Sequence, residues 1–176
     1  MDLFDAIDTR STAARLTLPG PTPVHLERML QAAGRAPDHG RMKPWRFIAV
    51  NGSDRESFAD AVANARRARL PTMTDEQMEL EREKIRRSPS ILVVGCVVKE
   101  NSKVPEIEQI VAVGAAVENL CLAAHALGYG VMWKTGPAAY DSRVKSAVGL
   151  GANDHIVAIL HLGARVNEPR SLTGQK

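Results

Sequence analysis

Three short stretches of the 176-residue sequence set groups that grip or polarise a ligand side by side. Arg10, Ser11 and Thr12 place a planar guanidinium next to two hydroxyls, a combination suited to a phosphate, although the same trio also describes an exposed helix end. Arg35 and His39 put a second cation and an imidazole into the stretch RAPDHGRMKP. There His39 suits an acid, a base or a donor to a ring carbonyl, while a loop residue bonded to backbone is the commonest fate of a lone histidine. Trp133, Lys134 and Thr135 follow two glycines and join a flat ring, a cation and a hydroxyl, or else a buried tryptophan with solvated neighbours.

Other chemistries lack their signatures. GYGVMW and GLGAND open as G-x-G but have no third glycine and do not sit between a strand and a helix, and there is no P-loop, HExxH or G-x-S-x-G. Cys96 and Cys121 lie in apolar runs without the spacing of metal ligands or a redox pair and read as small core residues. His25, His125, His155 and His161 are scattered over helix and strand faces with no ligand spacing.

The elements that must position the three stretches are legible from caps and periodicity. Asp2 caps a short helix carrying Leu3, Phe4 and Ile7 on one face and ending near Arg10. An irregular segment follows, and then Thr22 with Pro23 starts a second helix that ends near Gly34. Residues 35–44, rich in proline, glycine and charge, form a loop. Strands are expected over 45–50 and 91–98, with charged helices over about 55–87 between them. A long helix spans 106–127, a short strand runs through Trp133, a short helix covers about 141–148, and the last strand is 155–163. The polar tail after Arg165 lies against a partner or is loose.

Composition sets the class. The chain suits one domain, and with 44% hydrophobic but only 4% aromatic residues its core is built from Ala, Val, Ile and Leu, as in helices on a small sheet. The net charge is only +3, and acids interleave the basic clusters at 66–69 and 82–87, so this region is a solvated helical face and the chain is not a nucleic-acid binder. The opening MDLFDAIDTR is acidic where a signal peptide is basic, and no stretch reaches about 18 uninterrupted apolar residues. These features predict a soluble, cytoplasmic protein without a membrane partner. The helix at 106–127 is apolar around most of its circumference, more than a small monomer can bury, which predicts an oligomer.

Taken together, R-S-T near residue 10, R-A-P-D-H-x-x-M-x-P-W-R-F from Arg35 to Phe47 and G-Y-G-x-x-W-K-T-G from Gly128 to Gly136 resemble the nitroreductase family, most closely its short, minimal branch. The resemblance spans nearly the whole chain and is weakest over the charged helices. It implies an α+β fold, a mostly antiparallel central sheet flanked by helices, in an entwined homodimer with two FMN molecules at the interface. It further implies that Arg10, Ser11 and Thr12 hold the FMN phosphate and ribityl end, that Arg35 and His39 reach the cofactor from the loop, and that Trp133, Lys134 and Thr135 complete the pocket. The activity implied is two-electron hydride transfer from NADH or NADPH through flavin N5 to a small organic acceptor such as a nitroaromatic or quinone. Lys134 or Arg35 is the candidate cation for the reduced ring, and no side chain acts as a nucleophile. A flavin-binding or interaction module without turnover is the alternative. The family usually has R-R-S where this chain has Arg10, Ser11 and Thr12, so one guanidinium is missing and a weaker phosphate grip is expected.

Overall fold

Alternation of side chains along the strands divides the protein into two helical layers around one sheet. The computed structural model describes residues 1–100 and 102–166. In chain order its elements are α1 (Leu3–Thr9), β1 (Leu16–Thr17), α2 (Pro23–Ala33), β2 (Trp45–Ala49), α3 (Ser53–Arg69), α4 (Asp75–Arg86), β3 (Ser90–Cys96), α5 (Glu106–Ala126), β4 (Tyr129–Lys134), α6 (Ser142–Ala147) and β5 (His155–Arg165). Every pairing is antiparallel. The strands run β4, β5, β3, β2 across the sheet, and the two residues of β1 take the end of β5 at Ala164 and Arg165.

The helix starts expected from the sequence form by the expected chemistry. Asp2 and Asp5 make a capping box on α1, and the Thr22 hydroxyl accepts the His25 N–H ahead of Pro23 on α2. The charged stretch breaks into two helices because Thr74 and Gln77 form a second capping box that restarts the chain as α4. Differences lie at the ends of strands. β5 runs two residues beyond the expected Gly163, because β4 and β1 supply its ladder as far as Arg165. β1 itself lies in the segment expected to be irregular; two residues show no period, and only their partner makes them a strand.

β3 separates the two cores. Leu92, Val94 and Cys96 pack against α2 and α5, while Ile91 and Val93 on the other face meet Phe58 of α3, Ile85 of α4 and Val144 of α6. Covered on both faces, β3 reads as one continuous apolar run. Both cysteines lie in the first core, where burial pushes the Cys96 thiol up to about 11 and the Cys121 thiol up to about 12, so they remain thiols at neutral pH.

The 21 residues of α5 are long and apolar enough to meet the bare requirement for a membrane span, yet Val113, Val117, Leu120 and Ala124 form the centre of the first core. What α5 leaves uncovered is a stripe with Ile107 64% and Val111 63% exposed, and α1 likewise leaves Phe4 74% exposed. The tail expected to be loose or to meet a partner falls almost wholly outside the described residues.

Candidate functional site

The chain leaving α1 is pinned along the edge of β4, where the Ala13 N–H donates to the Val131 carbonyl at 2.9 Å. This approach requires glycine at 130. A Cβ there would lie 2.9 Å from Ala13 Cβ, 2.7 Å from Leu16 Cδ2 and 2.9 Å from Arg165 Cγ. Arg165, at the end of β5, passes beneath the segment and delivers its guanidinium to Ser11. Nη1 donates to Ser11 Oγ at 3.1 Å and Nη2 to the Ser11 carbonyl at 2.7 Å. Its Nε is buried with no hydrogen-bond partner among the described residues. Arg10 turns to α5 and pairs with Glu118 at 3.3 Å. His125, bonded to the Thr9 hydroxyl at 2.8 Å, has its pKa lowered by burial and then by Arg165 and Arg10. Two guanidinium groups against one carboxylate thus make a cationic corner around the exposed Ser11 and Thr12.

The end of β4 delivers successive side chains to opposite faces of the sheet. Trp133 stands opposite Leu160 on the α5 side and is 40% exposed, and its indole N–H donates to the Val157 carbonyl at 3.1 Å. Lys134 stands opposite Ile159 on the other side, where it and Thr135 line a cavity of about 490 Å3 between the sheet and the α3–α4 pair. His161 lies buried at the sheet wall of this cavity. Burial, and then the charges of Lys134 and Arg55, push its pKa down to about 4, so it is neutral at pH 7. The Lys134 pKa is lowered by burial and by the nearby Lys84. Lys134, Lys84 and His161 also line a smaller hollow reaching Leu16, which joins the cavity to the strand just beyond Ser11 and Thr12.

Arg35 and His39 lie in the segment that follows α2. Both are exposed in the loop after α2, and His39 Nδ1 lies 2.5 Å from Glu108 Oε2 in the first turn of α5. The loop is shaped by the Asp38 carboxylate, which accepts the Lys43 N–H at 2.6 Å, and by positive φ at Gly40, Arg41 and Lys43. Glu108 and Glu118, the partners of His39 and Arg10, stand about 15 Å apart along α5 at 1.5 Å per residue. The chain therefore brings Arg10, Ser11 and Thr12 beside the strand carrying Trp133, Lys134 and Thr135, and holds His39 farther along α5 with the exposed Ile107 and Val111 beside it, while Ala32, three residues before Arg35, accepts the amide N–H of Asn119.

The structure adds two residues that sequence reasoning passed over. Arg165 lies 154 positions from Ser11 and becomes its neighbour only through the pairing of β5 with β1. In the sequence His161 is one of four histidines without ligand spacing, yet the alternation that buries Leu160 and Leu162 in one core turns it to the other face. Among the described residues no group of three or more His, Cys, Asp or Glu is placed to hold a metal ion.

Comparison with known proteins gives one consistent result. The Nitroreductase family model matches residues 10–164. The curated protein "Putative NAD(P)H nitroreductase YdjA" of Escherichia coli (strain K12) is 36% identical over 163 residues, covering 93% of this chain and 88% of the relative. Among solved structures, a nitroreductase-like family protein from Bacillus cereus superposes with a TM-score of 0.83 at 24% identity, covering 100% of this chain and 92% of the other. A nitroreductase with bound FMN from Bacteroides fragilis superposes with a TM-score of 0.71 at 18% identity, covering 100% and 98%. At these identities the two structures speak for the fold, which is the α+β arrangement of an antiparallel sheet between helices.

Proposed function

The chain belongs to the nitroreductase family, and on that premise we propose that it is an FMN-dependent NAD(P)H oxidoreductase acting as a homodimer. The observation that carries this reading is the cationic corner at Ser11. A phosphate monoester needs charge-assisted donors, and here two guanidinium groups and two hydroxyls stand at a single exposed stretch of backbone. The residues present fit FMN. The guanidinium that the R-S-T segment lacks by comparison with R-R-S has a counterpart in Arg165, brought from the far end of the chain.

In this assignment Arg10, Ser11, Thr12 and Arg165 hold the phosphate end, and Lys134 and Thr135 border the ring system where the cavity opens. Trp133, on the reverse face of the strand, fixes the end of β4 through its bond to Val157. When bound, FMN supplies two-electron redox chemistry between NADH or NADPH and an organic acceptor such as a nitroaromatic or quinone. Lys134 sets the local field: its ammonium lies in a partly desolvated wall, where a charge acts on a neighbouring group more strongly than in water. The neutral His161 beside it adds no charge of its own to the wall.

Arg35 and His39 join the site through a second copy. The exposed apolar stripe of α5 and the uncovered face of α1 supply the surface that an isologous dimer would bury, and such a dimer would carry one protomer's loop toward the other's Ser11 corner. Steady-state assay with menadione tests the proposal: NADH or NADPH consumption is expected to depend on added FMN and to follow saturation in both substrates. A protein that takes up FMN yet consumes neither donor would instead be the binding module without turnover.

A further inference from the structure

The cavity beside Lys134 carries more positive charge than a flavin ring calls for. Arg66 and Arg69 of α3 and Lys84 of α4 line it together with Lys134, against the single carboxylate of Glu81. Glu81 is already shared, lying 2.5 Å from Arg66 Nη1 and 2.5 Å from Lys84 Nζ. Arg69 makes no ion pair among the described residues, and the carboxylate that feels its charge, Asp141, is bound by Arg143 at 2.7 Å. The remaining wall, from Val62, Leu70, Ile85, Pro137, Ala138 and Ile159, is apolar.

We propose that the arginine side of this cavity, at Arg66 and Arg69, recognises a negatively charged group, a carboxylate or phosphate, on the substrate that enters beside Lys134. The inference rests on the flavin-site reading and names the substrate class for it. Its physical basis is the mismatch of charge: three cations beyond the one offset by Glu81 converge on a space with apolar walls, where an anion both relieves their repulsion and gains charge-assisted hydrogen bonds. Burial lowers the Lys134 pKa and Lys84 lowers it further, a sign that two of these cations crowd one wall of the cavity. An arginine fork suits a planar carboxylate or a phosphate better than a neutral nitro or quinone oxygen. The anion belongs either to the acceptor or to the phosphates of the nicotinamide donor.

The test compares 4-nitrobenzoate with its neutral counterpart 4-nitrobenzamide, and NADPH with NADH, in the FMN-loaded protein and its Arg66→Met/Arg69→Met variant. The expected result is a kcat/KM about tenfold higher for the benzoate than for the amide, the size of one charge-assisted bond, lost in the variant and weakened by salt. An equal preference that appears only for NADPH over NADH and is lost in the variant assigns the site to the donor phosphate and also supports the proposal. The charge-retaining Arg69→Lys variant keeps part of either preference and controls for misfolding. Loaded, donor-oxidising enzyme that ignores charge in both pairs overturns the inference while leaving the flavin reading intact. Failure to take up FMN sinks the flavin reading instead. Calorimetric titration of that flavin-free protein with 4-nitrobenzoate then decides the anion site, binding that is lost in the variant supporting it and no binding overturning it.

Discussion

Arg165 shows how a candidate binding residue arises without a motif. Its side chain reaches Ser11 only because β5 pairs with β1 and Gly130 leaves room beneath the segment, and neither condition is visible at position 165 in the sequence. Arg165→Met is expected to weaken FMN binding about tenfold or more, the loss of one charge-assisted contact, as read by fluorescence titration. Unchanged affinity would remove Arg165 from the phosphate site. By contrast, Arg10, Ser11, Thr12, Lys134 and Thr135 are candidates in the sequence because three short motifs occur together and resemble a family, residue type alone describing an exposed helix end or a solvated turn equally well. His161 gives a pH prediction with a definite sign. Its folded pKa, pushed to about 4, lies below the ordinary value of 6.5, so between these values the unfolded chain binds the extra proton. Its contribution to stability is complete above about pH 6.5 and falls as pH drops toward 4, by about 3 kcal/mol in total. His161→Gln should flatten the dependence of Tm on pH in that window, and an unchanged slope would contradict the assignment.

Elements were more legible than their joins. Capping residues at Asp2 and Thr22 and the long apolar run of α5 fix where helices begin because each acts within a few residues, whereas the break at Thr74 inside the charged stretch is a finding of the structure. The two-residue β1 and the extension of β5 depend on partners distant in sequence, and nothing local announces them. The join between β4 and the Ser11 segment has its own test. Gly130→Ala would place a methyl 2.7 Å from Leu16 Cδ2 and 2.9 Å from Ala13 Cβ, closer than carbon atoms approach. The segment must shift, and a loss of about 1–3 kcal/mol in stability is expected from denaturant unfolding. FMN affinity should fall with it, because Ser11 lies two residues from Ala13. Full stability in this variant would show that the segment is not held as described.

At the scale of the whole molecule, the proposed dimer rests on what the single chain leaves apart. The Ser11 corner lies beside β4, while His39, named by the middle motif, stands off along α5 near an apolar stripe. Val111→Glu places a charge at the centre of that stripe, on a residue that is 63% exposed in the single chain and so costs the protomer little. Sedimentation should show a dimer for the native protein and a monomer for the variant, with FMN released on dissociation. A native monomer that retains FMN would disprove the shared site. The claim on which all of this stands is that the chain holds FMN in a working state. Its most direct test is the visible absorption spectrum of the purified, FMN-incubated protein before and after NADH or NADPH is added without oxygen. Flavin bands that remain with the protein through gel filtration and bleach on addition of donor are the predicted result. A colourless protein after incubation would contradict the account.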